Sequence, residues 1–567
     1  MMEIDNGTYV CGRSLAAARR FGCLLCMGVA FAAASGCFAE TLYNGIRLPD
    51  EWPPVIDRAD RRPMRVPYLE KGSHPDVVPI DVGRQLFVDD FLVESMDGIE
   101  RVYGRLKKYV ANPVLEPETP WELNTPYNST ARPCGGGLWW DEKAKRFHLW
   151  YEAGWCSEVC YAFSTDGLRW ERPSLDVVPG TNKVLPGENI DSWSVVLDPT
   201  APEDERWKFF CGSDYAREDG FAYVSADGIH WKDRRATGVC GDRSTLFYNP
   251  FRKKWVWSIR SGWRSRSRIY REHEDFTRGL TWDLVENPVP TRECVAWLAA
   301  DELDIQDGRP NENRQASLYN FDAVAYESIM LGAWEAHWGP ENEECEKVGL
   351  PKITDLQFAY SRDGFHFSRP NRTPAIASER WGSGRWDTGY VQSIPNLLVI
   401  KGDELWFYYS AFRGDPTRKT KCFDGTVPGA CNGRLNGMYA NGAMGLATMR
   451  RDGFVGLKAE GAGCIRTCPV RFGGSRLFVN LDAPEGSLKV SIVDQSGREL
   501  KVFAPVKGDR TKLEVGDVGD LAGRDVRFRF EMAGGTLYSF WVSKDASGKS
   551  GGYLAGGGPG YAGLRDE

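Results

Sequence analysis

Four aspartates stand at matching places in a repeating pattern. They are Asp191 in Asn189-Ile190-Asp191-Ser192-Trp193, Asp242 in Gly241-Asp242-Arg243-Ser244, Asp322 in Asn320-Phe321-Asp322-Ala323 and Asp387 in Arg385-Trp386-Asp387-Thr388. Each sits just ahead of, or at the start of, a run of β-forming residues. Carboxylates gathered at one place repel each other, so a fold keeps them together only with compensation. A pair flanking a sugar linkage is one such use: one carboxyl protonates the leaving oxygen, while the other attacks or activates water. A separation of about 5–5.5 Å suits retention and one of roughly 6.5–9.5 Å suits inversion. An aspartate before a strand also has a plainer use, binding backbone N–H groups in a turn. The set, rather than any one member, points to function.

Asp191, Asp242 and Asp322 form the expected acidic core, with Glu293 and Glu327 as reserve acids. Trp193, Arg243, Trp334, His337 and Asp387 are the residues expected to hold a sugar by stacking and hydrogen bonding, although each also has a packing or surface reading. The basic run Arg260-Ser261-Gly262-Trp263-Arg264-Ser265-Arg266-Ser267-Arg268 reads first as arginines alternating outward on an outer strand. Its sharper reading is a rim that holds a uronate or sulfated sugar. With six histidines, none beside a cysteine pair, a Cys/His metal centre is not expected. No cofactor is expected; a structural calcium ion is left open.

What could bring these acids together is a repeat. Phe147-His148-Leu149-Trp150-Tyr151 leads to Tyr161-Ala162-Phe163-Ser164-Thr165-Asp166-Gly167-Leu168-Arg169-Trp170, two β-type runs with Asp-Gly before the closing aromatic. Asp-Gly between such runs predicts a hairpin with a type I′ turn, whose two central residues both need φ > 0. The unit returns as Trp207–Phe210 with Phe221–Trp231, as Lys254–Ile259 with Leu280-Thr281-Trp282, as Gly332–Ala336 with Phe358–Phe367, and as Glu404–Tyr409 with Ala443–Thr448. About four strands per unit and no helix between them is the signature of propeller blades. The fold class is therefore all-β: a five-bladed β-propeller over 110–455, in which the start of each first strand converges on one channel mouth.

Residues 1–39 read as a secretory signal, with Arg19-Arg20 ahead of an apolar stretch too short for a confident membrane span. Cleavage after Ala39 fits the small residues there. Alternatively, Ala34-Ser35-Gly36-Cys37 is a lipoprotein box, which would leave a lipid anchor at Cys37. Either way the protein is secreted, periplasmic or at the cell surface. Residues 40–109 form an extended arm with lead-in strands, 456–545 a small antiparallel β-sandwich, and 546–567 a glycine-rich tail expected to be disordered. With 71 basic and 78 acidic residues and no block of like charge, neither nucleic acid nor an anionic membrane is an expected partner. Four of the 15 cysteines fall in the leader, and the odd remainder leaves at least one thiol without an internal partner. Cys156/Cys160, Cys422/Cys431 and Cys464/Cys468 are close enough to pair, but scattered buried thiols are the favoured reading.

The repeats, Asn112-Pro113-Val114-Leu115 with Trp121-Glu122, the Ser-x-Asp-Gly hairpins and the C-terminal sandwich together resemble the five-bladed propeller glycoside hydrolases related to families 32, 43, 68 and 130. The resemblance covers about 110–545. It implies a funnel-shaped axial site with an Asp/Glu pair and a third carboxylate, acting on an oligo- or polysaccharide. The chain departs from that pattern: the family 32 opening motif is absent, and Asp242-Arg243 reverses the Arg-Asp-Pro order. Glu293-Cys294 matches a short acid/base dipeptide of the family. Two other readings stay open. One is a carbohydrate-binding propeller without catalysis. The other is a sialidase-like enzyme, since Ser164–Trp170 is similar to an Asp-box, though with one residue fewer between Asp and Gly and on five repeats rather than six.

Overall fold

The computed structural model describes residues 40–187, 190–214, 219–284, 289–305, 316–392, 396–418 and 435–567. The expected signal segment and Cys37 lie outside them, as do Cys422 and Cys431. The outer hairpins are built by their own short sequences. The Ser164 hydroxyl donates to Asp166 Oδ1 (3.0 Å) and accepts from the Gly167 N–H (2.8 Å), while Asp166 Oδ1 accepts the N–H groups of Leu168 and Arg169 at 2.7 and 2.9 Å. Ser225 and Asp227 repeat the pattern, as do Ser361 and Asp363. Only the glycine has φ > 0: +79° at Gly167, +75° at Gly228 and +82° at Gly364. The expected type I′ turn is therefore corrected. Each aspartate gathers two N–H groups on its carboxylate, an Asx arrangement that needs the left-handed region at glycine alone.

These turns also fasten one sheet to the next. The Trp150 indole N–H donates to Gly228 O (2.6 Å), the Tyr408 hydroxyl to Gly167 O (2.8 Å) and the Trp297 indole to Phe365 O (2.7 Å). A Cβ at Gly228 would lie 2.2 Å from the Trp150 ring. The Asp-Gly motif thus does two jobs, closing its own hairpin and seating an aromatic from the neighbouring sheet.

The sheets follow one another as antiparallel meanders. Ala131–Asp141, Arg146–Ala153, Glu158–Ser164 and Lys183–Leu185 form the first, and Ile190–Leu197, Trp207–Asp214, Asp219–Ser225 and Lys232–Val239 the second. Val195 pairs in parallel with Gly136 to join them. Thr245–Asn249, Lys254–Ser261, Ser267–His273 and Val295–Ala299 come next, followed by Ser317–Glu327, Ile329–Gly339 and Ile353–Ser361. The last comprises Gly389–Gln392, Val399–Lys401, Glu404–Phe412 and Gly442–Arg450, with Lys107–Lys108 of the lead-in as its outer strand. Side chains and backbone link the sheets in series: Leu246 N–H donates to Ser194 Oγ, Thr245 to Phe321 O and Thr354 to Val391 O. Gly442 N–H to Ser129 O (3.1 Å) closes the last on the first. The first strands consequently line a common axis, and the architecture is a β-propeller. Between its sheets Trp150, Trp193, Trp255, Trp257 and Trp297 are fully buried.

Val455–Thr467, Arg476–Val493, Val506–Asp517 and Arg527–Ser543 make a second sheet system, joined by Gln85–Leu86, Val93–Asp97 and Glu100–Tyr103 from the lead-in. Its core combines Phe528, Phe530 and Phe540 with Phe87 and Phe91. The tail corrects the expectation of disorder. Tyr553–Leu554 pairs with Glu327 and Tyr326, Trp140 N–H donates to Gly556 O (2.9 Å), and Ile400 N–H donates to Gly557 O (2.8 Å). A Cβ at Gly558 would stand 1.8 Å from Ile400 O. The glycines are there because backbone lies against backbone, which no side chain permits. Among the described residues Cys160, Cys464 and Cys468 are free thiols, so Cys464 and Cys468 are not bridged to each other. Among them, too, no helix is long and apolar enough to cross a membrane.

Candidate functional site

The start of the strand Ile190–Leu197 and the turn before Thr245–Asn249 meet at the axis. Both are held in unusual backbone, with φ +62° at Ser192 and at Arg243. Ser192 Oγ donates to Asp191 Oδ1 (2.9 Å) and accepts the Arg243 N–H (3.0 Å), and Arg243 Nη2 stands 3.4 Å from Asp191 Oδ1. Asp191 and Arg243 are both buried. On the adjoining first sheet, the paired residues Arg132 and Glu152 form a second buried ion pair (2.5 Å). Cys156 N–H donates to the other Glu152 oxygen (2.7 Å).

Glu335, from the strand Ile329–Gly339, completes the group. It is 1% exposed, and among the described residues neither carboxylate oxygen has a hydrogen-bond partner. The Thr354 hydroxyl beside it already donates to Val391 O. Burial pushes the Glu335 carboxyl up to about 8, against the opposing pull of Arg243, Arg268 and Arg132. Arg268 is also fully buried; it donates to the carbonyls of Arg243 and Tyr319, and burial pulls it down to about 9. An aromatic wall backs these charges. Trp155 lies 5.1 Å from the Arg132 guanidinium and 5.8 Å from that of Arg243, and stacks on Tyr439 at 4.3 Å. Tyr319 faces Arg243, Arg266 and Lys352.

Of the sequence-predicted residues, Asp191 and Arg243 are brought together. Asp242 sits beside them, bound by Arg260 (3.0 Å) and approached by Arg266 (3.9 Å). Burial would raise it, but Arg266, Arg260, Arg243 and Lys352 prevail and hold it below the ordinary carboxylate range. Asp322 lies further along the axis, where burial lifts it to about 7. There it lines a cavity of about 750 Å³ with Gly136, Val196 and Leu246, walled on another side by Tyr553, Leu564 and Arg565 of the tail. His337 is near the group, its Nδ1 3.2 Å from Ser317 Oγ and its ring against Tyr319.

The others are placed elsewhere. Glu293 is largely exposed and meets Arg271. Glu327 occupies the turn at the far end of its strand, buried with Arg84, Arg451 and Ser550. Trp193 is core, stacked on Phe209. Trp334 packs under Arg369 at 3.6 Å. Asp387 is taken up by Lys108 (2.6 Å) and Tyr409. The basic run divides: Arg260, Arg266 and Arg268 turn toward Asp242 and the axis, whereas Arg264 bonds the arm at Arg58 and Asp60.

Sequence reasoning missed Glu335, Glu152, Arg132, Trp155 and Tyr319, whereas Arg268 belongs to the basic run it singled out. A signal existed. Trp150-Tyr151-Glu152-Ala153 and Ala333-Trp334-Glu335-Ala336 each set a glutamate inside an otherwise apolar strand, where a charge is kept only if something compensates it. Among the described residues no group of His, Cys, Asp and Glu is arranged to hold a metal ion.

No known protein family and no curated protein matches this sequence. Solved structures do resemble it. One is an N-acetylgalactosamine deacetylase from F. plautii in complex with blood group B trisaccharide, 14% identical over 63% of this chain and 97% of its own, with a TM-score of 0.39. Another is the Bombyx mori GH32 beta-fructofuranosidase, at 10% identity, 76% and 94% coverage and a TM-score of 0.32. A third is the catalytic domain of the Coprinopsis cinerea GH62 alpha-L-arabinofuranosidase, at 12%, 61% and 97% and a TM-score of 0.35. No residue role is carried over from any of them.

Proposed function

We propose that this chain is an exported glycoside hydrolase, its five blades carrying one active site on the propeller axis. Glu335 is the general acid and Asp191 is the base or nucleophile. The observation that carries the reading is the Glu335 carboxyl, buried on the axis and kept protonated near neutral pH by that burial. A protonated carboxyl can give its proton to a leaving glycosidic oxygen. Asp191, fixed by Ser192 and Arg243, then takes a proton from water or bonds the anomeric carbon. Trp155 and Tyr319 wall the site and hold its guanidinium groups in place. Asp242, held charged by its arginines, serves as an electrostatic neighbour rather than a proton donor.

The test is product release from a panel of aryl glycosides and polysaccharides by the wild type, Glu335→Gln and Asp191→Asn. General acid and base groups contribute typically about 10²–10⁴-fold, so each variant is expected to fall by at least about a hundredfold on any substrate the wild type cleaves. Undiminished release by Glu335→Gln removes it from the mechanism. Sugar binding without release by the wild type leaves a binding propeller.

A further inference from the structure

Among the described residues the axial group holds more cationic charge than its carboxylates offset. Arg132, Arg243, Arg260, Arg266, Arg268 and Lys352 gather around Asp191, Asp242, Glu152 and Glu335. Glu335, as the proton donor, is uncharged in the reactive state. The excess is not simply solvated, because Arg132, Arg243 and Arg268 are fully buried. Nor are its donors used up: among the described residues, Nε and Nη1 of Arg132 and Nε and Nη1 of Arg243 have no hydrogen-bond acceptor. Buried guanidinium N–H groups without acceptors are costly, and a fold keeps them where something else supplies the acceptor.

Trp155 lies against both guanidiniums, so the two cations are fixed before any ligand arrives. Neutral sugar hydroxyls could accept these bonds, but they would leave unanswered the surplus positive charge that Arg260, Arg266, Arg268 and Lys352 add around the two ion pairs. An oxyanion answers both demands, since guanidinium pairs strongly and directionally with carboxylate and sulfate oxygens.

We propose that the sugar taken at this site is anionic, its carboxylate or sulfate oxygens held by Arg132 and Arg243. This rests on the axial site being where substrate binds, and adds the substrate's class. Uronates and sulfated sugars share the required chemistry, and binding separates them.

The experiment is calorimetric titration of the full chain carrying Glu335→Gln, which blocks turnover. The ligands are the methyl glycosides of glucuronate and galacturonate, galactose 6-sulfate, and the neutral parents. The expected result is at least about tenfold tighter binding of an anionic member than of its parent, or about 1.4 kcal/mol. Whether the uronates or the sulfate ester shows the gain identifies the anion. Adding Arg132→Gln or Arg243→Lys is expected to abolish the preference. Inorganic sulfate, which needs no second variant, is expected to compete with the anionic sugar. Equal or weaker binding of every anionic member, or a preference that survives both arginine changes and excess sulfate, overturns the proposal. If wild-type protein cleaves only neutral glycans while Glu335→Gln is inactive, the hydrolase reading stands and this one falls. Arginine-dependent uronate or sulfate binding without any cleavage gives the reverse.

Discussion

Replacing Glu335 by glutamine is expected to stabilise the protein while disabling it, by an amount that depends on pH. The ordinary glutamate value is 4.5, and burial lifts Glu335 to about 8. For a carboxyl raised on folding, the stabilising contribution is complete below the unfolded value and is lost as the pH climbs through the folded one. At about 1.4 kcal/mol per pH unit, the whole loss has a ceiling of about 5 kcal/mol. Glutamine cannot titrate and escapes it. The difference between Glu335→Gln and wild type should therefore grow from about 1 kcal/mol at pH 5 to about 4 kcal/mol at pH 8. Asp322, also raised, to about 7, is present in both proteins and cancels in the difference. Urea unfolding followed by tryptophan fluorescence at both pH values measures it. A difference that does not change between pH 5 and pH 8 refutes the reasoning, because it would mean that Glu335 gives up its proton freely in the folded state.

Gly228→Ala should cost about 2–5 kcal/mol, from left-handed backbone plus overlap with Trp150. Gly402→Ala, with φ +63° and nothing within 4 Å, should cost only the backbone share, about 1–2 kcal/mol; equal midpoints in urea would deny that the hairpin turn fastens adjacent sheets. Glu327→Gln should lose about 3–5 kcal/mol by breaking a buried pair with Arg84 and Arg451, with kcat unchanged. A collapse of kcat in folded Glu327→Gln would return that residue to the chemistry. Trp193→Ala should lose about 3–5 kcal/mol yet keep its sugar affinity. Trp155→Ala should lose sugar affinity, and titration of both variants separates ligand wall from core.

The repeat was legible because its punctuation is local. Ser-x-Asp-Gly makes the same hydrogen bonds wherever it occurs, so the hairpins could be read from four residues. The tail was misread because glycine is ambiguous: at Gly556–Gly558 it permits backbone contact, which composition cannot distinguish from disorder. The site was half legible. Asp191 and Arg243 followed from the idea that strand starts converge. Trp193 did not behave as its spacing from Asp191 suggests, since Ser192 at φ +62° breaks the alternation of the strand and Trp193 goes into the core. Glu327 ends the same strand that carries Asp322, and there its carboxylate is taken up by Arg84 and Arg451, which sequence alone does not show. Glu335 and Glu152 were hidden by their apolar surroundings, the very burial that makes them chemically useful.

The central claim is that Glu335 hands its proton to the departing oxygen, and the dependence on leaving group tests it most directly. Matched glycosides with a poor and a good leaving group, methyl against 2,4-dinitrophenyl, are compared in wild type and Glu335→Gln. The account predicts a loss of at least about a hundredfold on the methyl glycoside that shrinks to a few-fold on the dinitrophenyl one, which needs no protonation to leave. An equal loss on both, or no loss on either, would contradict it.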